Sequence, residues 1–386
     1  MDVLSRSLPA ANHVQRIVDV SETLYIRLEG AGRLVSAPVA QATVTTASWD
    51  RDGLFDSTLE PADPFDSVHG RSMPRVDTER VLASLHDRTG HGHVDMKLTA
   101  GVRRYDSDSG VTFERRANWF RAIGRRREGE STPTLVDGCR SYAALGDVVK
   151  RIDDHLNSAV HLVPARAVEE VPPYPVLLSP TVSAVVLHEG IGHPAEYPGR
   201  GVVGQRVGPV ELHATACPPH AGLDDEGVPS SRVPLVRNGV VMGCVVDRSH
   251  ADGDRAPSGL SQAALHSGPP MSRVTHLQVA AGTSDLTVSS MSEVVHVTGV
   301  TGAELVGDVI LVVASEASVI RGGEVAFQLK PFAFYISLFR LGSHITAVGA
   351  VSARARAGAC VKHGQELPSE AHGPAILLEG LNLQHA

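Results

Sequence analysis

The sequence predicts an α+β protein: a smaller N-terminal domain of mixed helix and strand, then a larger domain of mainly antiparallel sheet carrying a metal-binding helix. Three observations carry this prediction. Apolar and polar residues alternate in short runs along most of the chain, with turn chemistry between them. A stiff, acidic and proline-rich connection, Glu169-Glu-Val-Pro-Pro-Tyr-Pro175, divides the chain into expected domains 1–170 and 171–386. Beyond it an apolar run, Ala184-Val-Val-Leu187, opens onto His188-Glu189-Gly-Ile-Gly-His193.

Residues 1 to about 20 carry weak helical patterning. Leu24–Glu29 alternates and ends at Gly30-Ala-Gly32, as a strand and turn would; Val39–Trp49 also reads as strand, and Asp50–Gly53 as turn. Residues 53–75 read as loop. Asp77–Leu85 reads as a short helix capped by Asp77 or Thr78. His86, His91, His93 and Asp95 surround Gly90 and Gly92 and read as a polar turn rather than a metal site. Residues 98–120 form two expected strands joined at Asp106–Gly110. Arg125–Arg127, beside Glu128 and Glu130, reads as a solvated hairpin end. Tyr142 to about Asn157 puts Leu145, Val148, Val149 and Ile152 on one helical stripe.

In the second half, Val176–Leu178 reads as a buried strand and Pro180 as a helix-start residue. After His193 the pattern turns to β. Arg232–Val246 is two runs around Arg237-Asn-Gly239, a hairpin signal. Further strands are expected at Leu277–Ala280, Val294–Val297, Val309–Ala314 and Glu324–Leu329. The aromatic segment Phe332–Leu341 is expected to be largely buried.

The 386 residues are 42% hydrophobic but only 4% aromatic, so aliphatic side chains must fill the core. A net charge of −8 argues against general nucleic-acid binding. Cys139, Cys217, Cys244 and Cys360 are widely spaced and form no C-x-x-C pair, which fits a reducing cytoplasm better than a disulfide scaffold. Neither a leader peptide nor a membrane-spanning run is read from the sequence.

The chemistry concentrates at His188-Glu189-Gly-Ile-Gly-His193. Neutral imidazole is a good zinc ligand, and an adjacent carboxylate can act as general base on metal-bound water. The familiar spacing of such a pair is four residues; here it is five. On an ideal α-helix five residues turn through about 500°, which leaves the rings roughly 140° apart. The helix must therefore loosen between them by a π-type or irregular turn, and Gly190 and Gly192 tolerate that best. Pro194 discourages further helix. Catalytic zinc usually takes three protein ligands. Cys217, Cys244, Cys360, His213, His363 and several carboxylates are candidates for the third, and side-chain chemistry does not choose among them.

Leu187-His-Glu-Gly-Ile-Gly-His193-Pro-Ala-Glu196 resembles the H-E-x-x-x-H signature of the TldD/PmbA metallopeptidases, also called modulators of DNA gyrase. Three further segments resemble the same family in the same order: Asp224-Asp-Glu-Gly-Val-Pro229 with Val240–Gly243, Pro270-Met-Ser-Arg273, and Gly358-Ala-Cys360-Val-Lys-His-Gly364-Gln365 with Leu367-Pro368. The resemblance covers about residues 176–386 and implies that Cys360 is the third zinc ligand. Pro198 stands where an acidic residue is usual, Val361 where glycine is usual, and the N-terminal region is shorter.

The expected activity is a Zn²⁺ metallopeptidase for short or unfolded peptides, with His188, His193 and Cys360 on the metal and Glu189 as general base. Glu196 either orients a ligand histidine or is a surface carboxylate or cap; Arg273 either binds a substrate carboxylate or is structural. Because every proposed ligand is present, the resemblance implies the catalytic subunit of a dimer, either with itself or with a motif-less TldE/PmbA-like paralogue. Two other readings are an amide hydrolase for a peptide-like small molecule in a biosynthetic pathway, and a scaffold subunit using zinc only for structure.

Overall fold

The computed structural model describes residues 13–29, 32–49, 55–63, 74–84, 93–126, 134–158, 165–196, 201–252, 255–354 and 358–385. The Asp50–Gly53 turn, residues 64–73 of the expected 53–75 loop, His86, His91, Glu128, Glu130 and Pro198 lie outside the described residues, as do residues 1–12; within that expected loop Phe55–Pro61 is instead a strand paired with Val39–Trp49.

The N-terminal region is an eight-stranded antiparallel sheet. Its centre is the strand His13–Glu29, paired with Val39–Trp49 on one side and His93–Ser107 on the other. The helical patterning over the start of this segment is thereby corrected: residues 13–20 are strand. Burial on both faces from Ile17 to Ser21 hides the two-residue period that marks a strand. Leu24, Ile26 and Leu28, with Val94, Met96 and Leu98 of the next strand, pack under Leu145, Val148, Val149, Ile152 and Leu156 of the helix Leu145–Ser158. The short helix Thr78–Ser84 also forms, and Asp77 caps it by accepting from the Arg80 N–H at 3.0 Å.

The opposite face of this sheet meets the C-terminal region through buried charge. Asp19 and Arg103 are register partners on adjacent strands. The Arg103 guanidinium grips both Asp19 oxygens at 2.7 and 2.6 Å and donates to Asp225 at 2.7 Å, with all three side chains buried. It also donates to the carbonyls of Ala263 and Ala264. Arg115 reaches the second Asp225 oxygen, and the Tyr105 hydroxyl donates to the Glu226 carbonyl at 2.9 Å. The Asp224-Asp-Glu-Gly227 stretch is thus a fastening between the two sheets.

The C-terminal region is a fourteen-stranded, mainly antiparallel sheet. Parallel pairs occur where Val176–Leu178 meets Glu293–Val306, where His276–Val279 meets Gln365–Leu378, and where Ala165–Arg166 meets Glu324–Leu329. The Arg237-Asn-Gly239 hairpin forms, with Asn238 and Gly239 both at positive φ (50° and 72°). The aromatic segment is largely buried as expected, with Phe332, Ala333, Phe334, Ile336, Leu338 and Leu341 inside, while Tyr335 and Phe339 are exposed. The motif helix lies on the sheet. Ser183 donates to the Pro374 carbonyl, and Gly373 allows the Ala184 backbone to approach.

Candidate metal centre

Ser179 starts the motif helix by accepting from the Val182 N–H, and Pro180 supplies a first residue that needs no donor. The α-helix runs Pro180–Leu187 and passes into a π-helical turn over His188–Gly192. The His193 N–H donates back to the His188 carbonyl, a five-residue step. That wider turn brings the two imidazoles to one side, with ring centroids 4.8 Å apart. The glycines do more than permit the turn. A β-carbon at Gly190 would lie 2.8 Å from Ile310 Cδ1 and 2.9 Å from Leu341 Cδ2, and one at Gly192 would lie 3.3 Å from Val274 Cγ1. They let the turn sink into the core.

Cys360 arrives on the strand Gly358–Lys362, hairpinned to Gln365–Leu378 through His363 and Gly364, both at positive φ (50° and 75°). One ligand atom from each of His188, His193 and Cys360 lies within 4.8 Å of the others, and Cys360 Sγ is 3.5 Å from His193 Nε2. Among the described residues this is the group able to hold a metal ion; Cys217, Cys244, His213 and His363 are outside it. At the other histidine patch, where His86 and His91 lie outside the described residues, Asp95 is held by Arg27 at 2.6 Å and joins no such group among the described residues.

The surrounding charges suit a cation. Both ring nitrogens of His188 are buried without a protein partner, an arrangement that is expensive unless something binds them. Burial alone would raise the Cys360 thiol, but the two imidazoles facing it, His193 within hydrogen-bond reach, outweigh that and push the thiol well below its ordinary range. Burial opposes a charged His193, yet hydrogen bonds to Cys360 and Glu196 lift it to about 11, so its surroundings call for positive charge. Two imidazoles and a thiolate fit zinc in ligand type and number.

The acidic residues divide into two positions. Glu189 Oε1 stands 3.7 Å from His193 Nε2, and Oε2 accepts from the Leu305 N–H at 3.1 Å. Burial raises the Glu189 carboxyl, with the two histidines opposing. Glu196 sits behind His193: Oε2 faces Nδ1 at 3.3 Å and the Lys362 ammonium at 2.7 Å, and Oε1 accepts from the Val274 N–H at 2.7 Å. Burial would raise the Glu196 carboxyl, but these partners bring it down to about 2. Buried at 4% exposure, it is not a surface carboxylate; its backbone also ends the 3-10 turn His193–Ala195 by donating to the His193 carbonyl.

Arg273 is enclosed beside Cys360. It is 0% exposed, and it donates to the Cys360 carbonyl at 2.7 Å and to Cys360 Sγ at 3.1 Å. Its contact is with the sulfur, not with a ligand carboxylate. Val274 and Leu305 also shape the centre and carried no sequence signal of their own, whereas Lys362 lay within the family-like stretch around Cys360 without a role assigned to it. Lys362, two residues from Cys360, is the one that a search for counter-charges beside the third ligand would have reached.

Residues 172–385 match the family model described as the PmbA/TldA metallopeptidase C-terminal domain. A metalloprotease of Synechocystis sp. is 28% identical, with 84% of this chain and 78% of that protein covered. Among solved structures, a modulator-of-DNA-gyrase protein from Thermotoga maritima superposes with a TM-score of 0.67 at 15% identity, covering 96% of both chains. TldE from Thermococcus kodakarensis superposes at 0.62 and 14% identity, covering 95% of this chain and 97% of that one. These two likenesses concern the fold.

Proposed function

This chain belongs to the PmbA/TldA (TldD/PmbA) metallopeptidase family, and from that premise we propose that it is a catalytic zinc peptidase of short or unfolded peptides. The observation that carries the reading is the convergence of His188, His193 and Cys360 with the Glu189 carboxylate beside them. His188, His193 and Cys360 would hold Zn²⁺, which supplies carbonyl polarisation and acidifies a water. Glu189 Oε1 takes the proton of the attacking water and returns it to the leaving amine. The Leu305 N–H fixes Oε2 and so leaves Oε1 for that task. Glu196 holds His193 through Nδ1, and Lys362 and Val274 hold Glu196. Arg273 holds the sulfur.

Three protein ligands rather than four among the described residues favour this over a purely structural zinc. The centre does not discriminate a peptide from a peptide-like small molecule in a biosynthetic pathway; an assay of both substrate types does. Assembly as a homodimer or with a motif-less paralogue, and a cytoplasmic site of action, belong to the same proposal. No helix among the described residues is long and apolar enough to cross a membrane.

The test is metal analysis of the purified protein with peptide hydrolysis, on wild type and Glu189→Gln. Wild type should hold about one zinc per chain and hydrolyse peptides. The variant should keep its zinc and lose on the order of 10²–10⁴ in rate. Full turnover by the variant removes Glu189 from the mechanism, and a protein that takes up no zinc ends the reading.

A further inference from the structure

Between the two sheets runs a groove made of a cavity of about 530 Å³ and a second of about 250 Å³. Trp119, Arg140 and Pro368 line both, so Arg140 stands where they join. The groove comes close to the metal centre. Leu367, in the wall of the larger cavity, is the register partner of Cys360, and cross-strand partners point their side chains to the same face. His276, in the wall of the smaller one, is the register partner of Glu370.

The cations of the groove are not equally satisfied. Lys97, Arg103, Arg115 and Arg140 line the larger cavity. Arg103 and Arg115 share Asp225, and Lys97 meets Glu366 at 3.5 Å. Arg140 has no carboxylate within ion-pair distance among the described residues. Only its Nη1 has partners, the Pro219 carbonyl at 3.2 Å and the His220 ring at 3.3 Å. The nearest carboxylate, Glu370 in the wall of the smaller cavity, acts on Arg140 only from beyond ion-pair distance, and the imidazoles beside it add no charge: burial above all drives His220 and His276 down to about 3, so both are neutral. A half-buried guanidinium with most of its fork unused, in a groove beside the metal centre, is suited to bidentate recognition of a carboxylate.

We propose that Arg140 is the anchor for a carboxylate of the peptide that lies in this groove, either the C-terminal α-carboxylate or an acidic side chain. This rests on the peptidase reading and deepens it: peptides offering that carboxylate are the preferred substrates. The positioning is by binding, so the effect belongs in KM and affinity.

The experiment compares three peptides of one sequence on the zinc-loaded protein: free acid, C-terminal amide, and amide with one interior residue replaced by glutamate. KM is measured alongside affinity by calorimetry. The free acid, the glutamate amide or both should bind about ten- to a hundredfold more tightly than the plain amide, as a charge-assisted pair requires. Which of the two is favoured identifies the source of the carboxylate. Arg140→Gln should abolish the preference, so that the three peptides bind alike, and Arg140→Lys should restore part of it. Equal affinity for all three peptides in wild type overturns the anchor and needs no variant. A preference that survives intact in folded Arg140→Gln also overturns it. If no peptide is hydrolysed but the carboxylate preference is present and depends on Arg140, the anchor stands and the peptidase reading falls.

Discussion

Replacing Cys360 by serine should destabilise the protein even when excess chelator removes any metal. Arg273 is fully buried and has no carboxylate partner among the described residues; the anionic group it touches is the Cys360 sulfur, at 3.1 Å. A buried ion stripped of its partner costs about 3–5 kcal/mol, because the remaining charge stays desolvated. Serine keeps a hydrogen-bond acceptor near the guanidinium but supplies no charge. For a cooperative unit of 150–250 residues, each kcal/mol moves the melting temperature by roughly 2–4 °C. The serine variant should therefore melt roughly 6–20 °C below wild type in chelator. Cys360→Asp, which returns a negative charge, should recover much of the difference. Adding zinc should widen the gap between wild type and serine, since ligand binding stabilises only the chain able to bind it. The assay is thermal unfolding by circular dichroism with and without chelator. A serine variant that melts within about 1 °C of wild type in chelator would show that sulfur and guanidinium are not a charge pair, and the account of Arg273 would fall.

Glu196→Gln removes the charge facing His193 Nδ1 and Lys362; zinc affinity, read by competition with a chromogenic chelator, should fall about 10–100-fold, and an unchanged affinity would leave Glu196 a purely structural role. Asp19→Asn breaks the buried pair with Arg103 that fastens the two sheets, and should cost about 3–5 kcal/mol in urea unfolding; a loss below about 1 kcal/mol would mean that Asp225 alone balances Arg103. The third concerns pH. Burial, reinforced by the charges of Asp224 and Asp247, raises the Glu226 carboxyl well above its usual range, and burial raises Asp224 to about 6 against its backbone donors. The folded chain keeps protons that the unfolded chain gives up near pH 4, so this cluster's stability contribution is full below pH ~4 and declines as pH rises through the folded values. Glu226→Gln carries no such penalty; its melting temperature should gain on wild type from pH 5 to 8, and parallel curves would refute the sign.

Much of the fold was legible because one face of most strands is buried and the other is not. The hairpin at Arg237-Asn-Gly239 and the strand after Gly322-Gly323 have both alternation and turn chemistry. The reading failed where that contrast is lost. At the centre of His13–Glu29, Val18 and Val20 pack with Ala42, Val44 and Ala62 on one face and Asp19 meets the second domain on the other, so the centre shows no alternation. Gln365–Leu378 begins with Gln-Glu-Leu-Pro-Ser-Glu-Ala-His-Gly-Pro and does not read as strand. Its pairing comes from neighbours far away in sequence, Val176–Leu178, His276–Val279 and Ile345–Arg354 among them. Tertiary context, not propensity, makes that strand.

The same distinction explains the metal centre. The π turn could be inferred from spacing alone, because two ligands five apart on a regular helix cannot share an ion and two glycines lie between them. Nothing local selects Cys360 over Cys217 or Cys244; the selection is made by a hairpin that the sheet carries beneath the motif helix. Arg273 shows why charge alone misleads. An arginine in a chain proposed to bind peptides suggests a substrate contact, yet this one is enclosed against the sulfur, while the arginine with an unused fork is Arg140, in a segment that carries no motif. The difference between them is where burial places an opposite charge, a property of the folded chain. It separates an arginine that tunes a ligand from one that can receive it.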